Sequence, residues 1–426
     1  MKTVKSNSNQ PMIMWSMAVL FFMYQFIARS AFPTVLAEEY MKFFGLDALG
    51  VGTLVSCYYW AYTLSQIPAG IVIDKFKAKH VSTVSALTCA SGVLLFIATR
   101  NCYIAAIGQM MVGLGSATAF LMVIKTVVSW FPEDRRAMML SVAVSIGCLG
   151  PVVFGPFVGS IAKTYDWRMV MMLFSVCGFI IAFLLWKIIT DNPAIAQGKG
   201  NVAASKATSE ILKDIRDMVT NVVTSPQILV LIVVAFAMYA PISALGDMWG
   251  TSFIKKVYDV DVSICSSANN MIYVGMVLGS PLFAFLSNVM NSYKKPMSIG
   301  LFCATLVFCL IVFVSNLPIV AMFVLFFALG LFISAMLFFP LGASLFPQVM
   351  SGTVSGVLNT ATMMSGVVLI PTIGWLINKS WDGTIVDGVK VYCIGDFRSG
   401  FMAVLVALVI GCVASLLVKD RSPKSV

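Results

Sequence analysis

Two side chains of opposite charge, Arg29 and Asp247, stand inside long apolar runs where ordinary charges are absent. Each costs about 2.5–3.5 kcal/mol at the centre of a membrane helix. Such groups face a bundle interior or an aqueous cavity and mark a pathway. Arg29 offers a planar, permanently charged fork that matches a substrate carboxylate. Asp247 suits a substrate amine or a coupled proton. The plainer alternative is a gate salt bridge between the two that never touches substrate. A third charge, Lys125, lies just before Trp130. It either snorkels to the interface or adds a second positive point to the cavity. The only histidine, His80, follows a basic loop and reads as solvated. Asp247 is therefore the deep candidate for proton coupling.

Polar stripes surround these charges. Tyr58, Tyr62 and Gln66 follow i, i+4, i+8 and share a helix face, with Tyr59 beside them. Asn269 and Tyr273 share another face, next to Asn270. Asn359, Thr362, Met363 and Gly366 form a third. Tyr24 and Tyr239 are mid-span. The candidate substrate wall is thus Tyr24, Arg29, Tyr58, Tyr62, Tyr239, Asp247, Asn270, Tyr273, Asn359 and Met363. Buried amides and hydroxyls need partners, so helix–helix glue is the competing role for each. An interfacial aromatic belt competes for the tyrosines.

The elements that hold these residues follow from composition. Of 426 residues, 59% are hydrophobic and 11% charged, against about 25% charged in soluble domains. Only lipid can solvate so much apolar surface. A span takes about 20 apolar residues. Apolar runs mark spans near 12–36, 49–73, 80–99, 103–130, 137–162 and 167–188, then 226–252, 266–287, 297–316, 318–345, 353–378 and 398–418. No barrel-like alternation is present, so these are helices. The fold class is an all-α membrane protein of twelve helices. The first run is too long for a signal peptide and reads as a retained span. The polar stretch 189–225 reads as a cytoplasmic linker between bundles 1–188 and 226–426.

The net charge of +10 is spread over loops, not gathered into a stripe, which excludes a nucleic-acid partner. Loops holding Lys75, Lys77, Lys79, Arg135, Arg136, Lys294 and Lys295 are the most basic. The positive-inside rule places them, and both termini, in the cytoplasm, so the expected location is a bacterial inner membrane. The ten cysteines lie mainly in apolar runs without metal spacing. Cys265 and Cys393 fall in expected outer loops, where a disulfide could join them. No metal or cofactor is expected. The absence of a Walker loop, an H-E-x-x-H motif and a soluble catalytic domain argues against an enzyme.

The halves repeat. Ser129-Trp-Phe-Pro132 recurs as Ser344-Leu-Phe-Pro347, Gly115 as Gly330 and Tyr24 as Tyr239, all at one common spacing along the chain. Asp74 maps to Asn288 at a spacing one position shorter. Asp166-Trp-Arg168 recurs as Asp396-Phe-Arg398 after a longer loop. Two parallel six-helix repeats suit a carrier that rocks about a midplane site.

The loop Gly70-Ile-Val-Ile-Asp74-Lys75 resembles the G-x-x-x-D-R/K signature of the major facilitator superfamily, and the resemblance covers nearly the whole chain. It departs at Lys77, where the family usually carries Gly. The resemblance implies alternating access, with Gly70, Asp74, Lys75, Arg135 and Arg136 forming an inner latch, and a monomer. Gln109 stands where many drug–proton antiporters carry Arg. More narrowly, Tyr24–Arg29, Tyr58–Tyr62 with Gln66-Ile-Pro68, Leu245–Gly250 and Gly352–Asn359 resemble the phagosomal nutrient transporters of intracellular bacteria. That likeness implies uptake of an amino acid or nucleoside. The resulting expectation is a proton-coupled importer of a small polar nutrient, an amino acid first. The alternatives are an exporter of drugs or siderophores and a membrane-embedded sensor.

Overall fold

The computed structural model describes residues 10–190, 220–347, 350–386 and 389–421. Most of the expected linker, and the side chains of Asp74 and Lys75, lie outside the described residues. The first six long helices are α1 (Gln10–Val35), α2 (Ala48–Lys75), α3 (Ala78–Ala98), α4 (Cys102–Trp130), α5 (Glu133–Ile161) and α6 (Trp167–Ile188). The second six are α7 (Pro226–Tyr258), α8 (Val262–Val289), α9 (Lys294–Phe313), α10 (Ile319–Ala343), α11 (Ser351–Ser380) and α12 (Ile394–Leu417). Among the described residues, 11 helices are long and apolar enough to cross a membrane. The remaining long helix, α2, runs 28 residues and is diluted by Tyr58, Tyr59, Trp60, Tyr62 and Gln66. It carries no charge from Ala48 to Ile73. The chain is a multi-pass membrane protein.

Local chemistry explains the helix ends. Asp47, Asn101, Asp166 and Asp261 each accept a backbone N–H at the start of α2, α4, α6 and α8. These caps satisfy donors that a helix leaves orphaned. Lys125 donates to the carbonyls of Ile73 and Phe76 at the end of α2. Arg136 does the same for α4, donating to Val128 and Phe131 at 3.1 Å each. Cations at helix C-termini also meet the negative end of the dipole.

Close crossings are made at glycines. A Cβ on Gly113 would collide with the Tyr58 carbonyl, and one on Gly330 would collide with that of Ile272. Tyr58 precedes Ile272 by almost the repeat spacing, so Gly113 is the structural counterpart of Gly330. Gly115, the sequence match, packs instead on Ser85 and Cys89 of α3.

The start of α1 and the end of α12 lie on one face. Thr190 reaches Met14, and the Lys419 N–H donates to Gln227 at 2.7 Å. At the opposite, far face, ion pairs join the first six helices to the second. Glu38 meets Lys255 at 2.7 Å, Asp47 meets Lys390 at 3.4 Å, and Lys163 meets Asp261. The 378–395 loop contributes Lys390 from a short hairpin, Ile385–Val386 with Val389–Lys390. Toward the terminal face the seam between the sets opens. Among the described residues, nothing lies within 4 Å of a Cβ built on Gly70, Gly352 or Gly356. Cys265 and Cys393 are both free, because Cys265 is buried inside α8 rather than in a loop.

Candidate functional site

The site forms where α1 and α7 both change helical pitch. Ile27–Ala31 and Ile242–Trp249 are π-helical, and the second segment begins one repeat after the first. Pro33 contributes locally, since it lacks the N–H that would bond the Arg29 carbonyl in an α-helix. A π segment shifts side chains off the α register and recurs at functional sites. Here it turns Arg29 and Asp247 toward each other.

Arg29 is 5% exposed and Asp247 is fully buried. The Arg29 Nε lies 3.6 Å from Asp247 Oδ1, close enough for an ion pair but too long for a hydrogen bond. The carboxylate is satisfied elsewhere. Tyr59 donates to Oδ2 at 2.5 Å and Tyr273 donates to Oδ1 at 2.6 Å. The guanidinium lies over the Phe26 ring at 4.1 Å. Among the described residues, its buried Nε and Nη2 have no hydrogen-bond partner. Each oxygen of the acid accepts one short hydrogen bond, while two donors of the base remain without one. Buried donors left unmade are costly, so the guanidinium has the capacity to take a further acceptor.

Tyr239, 6% exposed, stands near enough to interact electrostatically with Arg29, Asp247 and Tyr62. Tyr62 stacks on Tyr58 at 5.9 Å. Asn359 donates to Gln66 at 3.4 Å, and both are half-buried toward the open face. Met363 is buried in α11 beside them. These residues give the site neutral hydroxyls and amides next to one cation.

Other expected wall residues go elsewhere. Tyr24 stacks on Phe174 at 4.2 Å and packs against Gly178. It lies in the interior of the first six helices, because α6 offers a glycine gap that fits its ring. Tyr58 is buried and donates to Gln25 at 3.1 Å. Asn270 donates to the Pro151 carbonyl at 2.8 Å and to Ser266 at 3.2 Å. It seams α8 to α5, where Gly155 leaves room. Lys125 is engaged at the end of α2, as above, and is not a second cation beside Arg29. Of the latch residues, Arg136 is occupied by carbonyls at the end of α4, Arg135 is exposed, and Gly70 is half-buried. His80 is exposed and sits 5.5 Å from the Trp186 ring.

The residue missing from the sequence-derived wall is Tyr59. A signal for it exists. Tyr59 and Tyr273 are separated by the same spacing that relates Asp74 to Asn288. Two repeat-related phenols thus hold one carboxylate.

Comparison with known proteins agrees with this architecture. The chain is 24% identical over 410 residues to a probable galactarate/D-glucarate transporter, GudP, of Escherichia coli strain K12, covering 87% of this chain and 89% of that one. It is 26% identical over 157 residues to the hexuronate transporter of Bacillus subtilis strain 168, covering 35% of each. The fold matches a bacterial homologue of the human lysosomal transporter Spinster, solved in an inward-facing and unoccupied conformation. The TM-score is 0.75 at 16% identity, covering 97% of this chain and 98% of that one. The family model of the Major Facilitator Superfamily matches residues 14–371. The chain belongs to the Major Facilitator Superfamily.

Proposed function

We propose that this protein is a secondary transporter that imports a small polar carboxylate, coupled to protons, across a bacterial inner membrane. The observation that carries the reading is the pair of unpartnered donors, Nε and Nη2, on buried Arg29. A carboxylate is the ligand that a guanidinium fork binds best. Relatives whose names refer to galactarate, D-glucarate and hexuronate, all sugar acids, support the same class. An amino acid fits less well, because an ammonium group at Asp247 would compete with two phenols and with Arg29, whose Nε lies 3.6 Å from the same carboxylate. Asp247 is the proton carrier in this reading. The narrower likeness to phagosomal nutrient transporters supports the direction, uptake.

In the proposed cycle, bundles 1–188 and 226–426 rock about the level of Arg29 and Asp247, joined by the linker 189–225. Both termini are cytoplasmic, so the open terminal face is the inner one. Gly70, Asp74, Lys75, Arg135 and Arg136 form the inner latch that closes when the far face opens, and the working unit is a monomer. The test is thermal stabilisation of the detergent-purified protein by sugar acids, amino acids, nucleosides and lipophilic cations. A ligand that binds the folded state raises Tm by mass action. A shift with sugar acids that disappears in Arg29→Gln supports the proposal. A shift only with lipophilic cations, unchanged in Arg29→Gln, overturns it.

A further inference from the structure

We infer that the cargo carries a single carboxylate and crosses with a single proton, so that the loaded carrier is electrically neutral at its centre. This rests on the carboxylate reading of Arg29 and deepens it.

The inference follows from a count of charges at the site. Among the described residues, three other cations placed in or beside the spans are engaged away from it. Lys125 binds carbonyls at the end of α2, Arg398 binds the Val312 carbonyl at 2.9 Å, and Lys255 is paired with Glu38. Among the described residues, Arg29 is the one buried cation beside Asp247 with hydrogen-bond donors unused. The rest of the approach is neutral: Tyr62, Gln66, Tyr239 and Asn359. Those groups can hydrogen-bond hydroxyls but bring no positive charge to cancel a second anion.

Charge balance then sets the stoichiometry. Empty, Arg29 and Asp247 sum to zero. A bound monocarboxylate adds one negative charge, which a proton on Asp247 cancels. The proton binds the Asp247 carboxylate on the far side and leaves from the same oxygen on the terminal side, with no other bond made or broken. Each oxygen accepts one phenol and keeps a second lone pair for that proton. A dicarboxylate would bring a second negative charge into a buried site with no second cation. An uncompensated charge in a low-dielectric interior is strongly disfavoured. The site therefore discriminates against diacids, even though the name of a full-length relative refers to galactarate and D-glucarate.

The test uses a matched pair, D-gluconate and D-glucarate, which differ by one terminal carboxylate, with D-galactonate and D-glucuronate as further monoacids. The full-length protein is reconstituted in liposomes. Uptake of the radiolabelled monoacids is followed under an imposed pH gradient and, separately, under an imposed inside-negative potential of about 100 mV. The expected result is uptake driven by the pH gradient and altered less than about twofold by the potential, with D-glucarate competing about tenfold or more weakly. Binding of D-glucarate as tight as that of the monoacids, lost in Arg29→Gln, overturns the single-charge inference and leaves the carboxylate carrier standing. Potential-driven uptake of a monoacid also overturns the inference, because a net charge then moves. Failure of every acid to bind, by uptake and by thermal shift, removes both this inference and the reading beneath it.

Discussion

Asp247 takes two phenolic hydrogen bonds from elements that belong to different halves of the chain. Tyr273 comes from α8, on the same side of the linker as Asp247, and Tyr59 comes from α2 on the other side. Hydrogen bonds to a charged acceptor are worth about 1.5–3 kcal/mol each. In this arrangement the tyrosines keep Asp247 beyond hydrogen-bond distance of the Arg29 Nε, which in the proposed function leaves the guanidinium for cargo. Tyr59→Phe keeps the ring against Gly366 but removes one bond. Asp247 should then settle onto Arg29 and compete with the cargo, raising KM about tenfold with a smaller change in Vmax. Uptake kinetics check this, and an unchanged KM would show that Tyr59 is only packing. Tyr59 was hard to read from sequence for a physical reason. The i, i+4, i+8 stripe selects Tyr58 and Tyr62, whereas Tyr59 points about 100° away from Tyr58. What it meets depends on α11 supplying Gly366, where a Cβ would collide with its ring.

At the scale of the element, two kinds of glycine do different work. Gly330 sits under the Ile272 carbonyl, so a Cβ there must push backbone away from backbone. Gly330→Ala should separate α8 from α10 and lower stability by about 1–3 kcal/mol, the usual cost of overpacking. The midpoint of thermal unfolding measures it. A Cβ built on Gly352 or Gly356 meets nothing within 4 Å among the described residues. Alanine there should leave the midpoint unchanged or slightly higher, since alanine favours a helix by about 0.5–1 kcal/mol. If the seam closes on these positions when the far face opens, Gly356→Ala should nevertheless slow uptake. Normal uptake would place Gly356 outside the moving contact. The paired π segments belong to this scale as well. Their starting points, Ile27 and Ile242, keep the same spacing as Tyr24 and Tyr239. The spacing is visible in the chain; the change of pitch is not.

For the molecule as a whole, the far face is held by exposed and half-exposed ion pairs, each worth about 0–1 kcal/mol. Such weak pairs suit a seal that must reopen. Lys255→Ala removes the partner of Glu38 and should bias the population toward opening at the far face. Labelling of a cysteine placed at Thr251 by a membrane-impermeant reagent should rise, and unchanged labelling would deny Lys255 a gating role. Glu39 adds a pH response. Its Oε2 is buried without a hydrogen-bond partner. Burial pushes its carboxyl above the usual range, and neighbouring Glu38 adds to this, while a backbone hydrogen bond, Lys255 and Lys42 oppose it. Lys163 and Asp261 line the same far-face cavity. A raised pKa means the closed state binds the proton more tightly. The closing contribution is therefore present below the ordinary glutamate range and is lost as pH rises through the raised value. Closure of the far face, read by the same labelling, should strengthen as pH falls, and Glu39→Gln should flatten that dependence.

By itself the sequence determined the membrane class, the number of long helices, the repeat, and the two charges inside the spans. Those follow from quantities local to the chain: apolar run length, the cost of a charge in lipid, and regular spacing. Tertiary structure alone decided the partners. It sent Tyr24 into a glycine gap on α6, gave Asn270 to the Pro151 carbonyl, tied Lys125 to the end of α2, and set Tyr59 on Asp247. A polar side chain in a membrane helix must find some partner, and several lie within reach of any stripe. Which one it takes depends on how closely neighbouring backbones approach, and that distance is set by small residues on other helices far away in the chain.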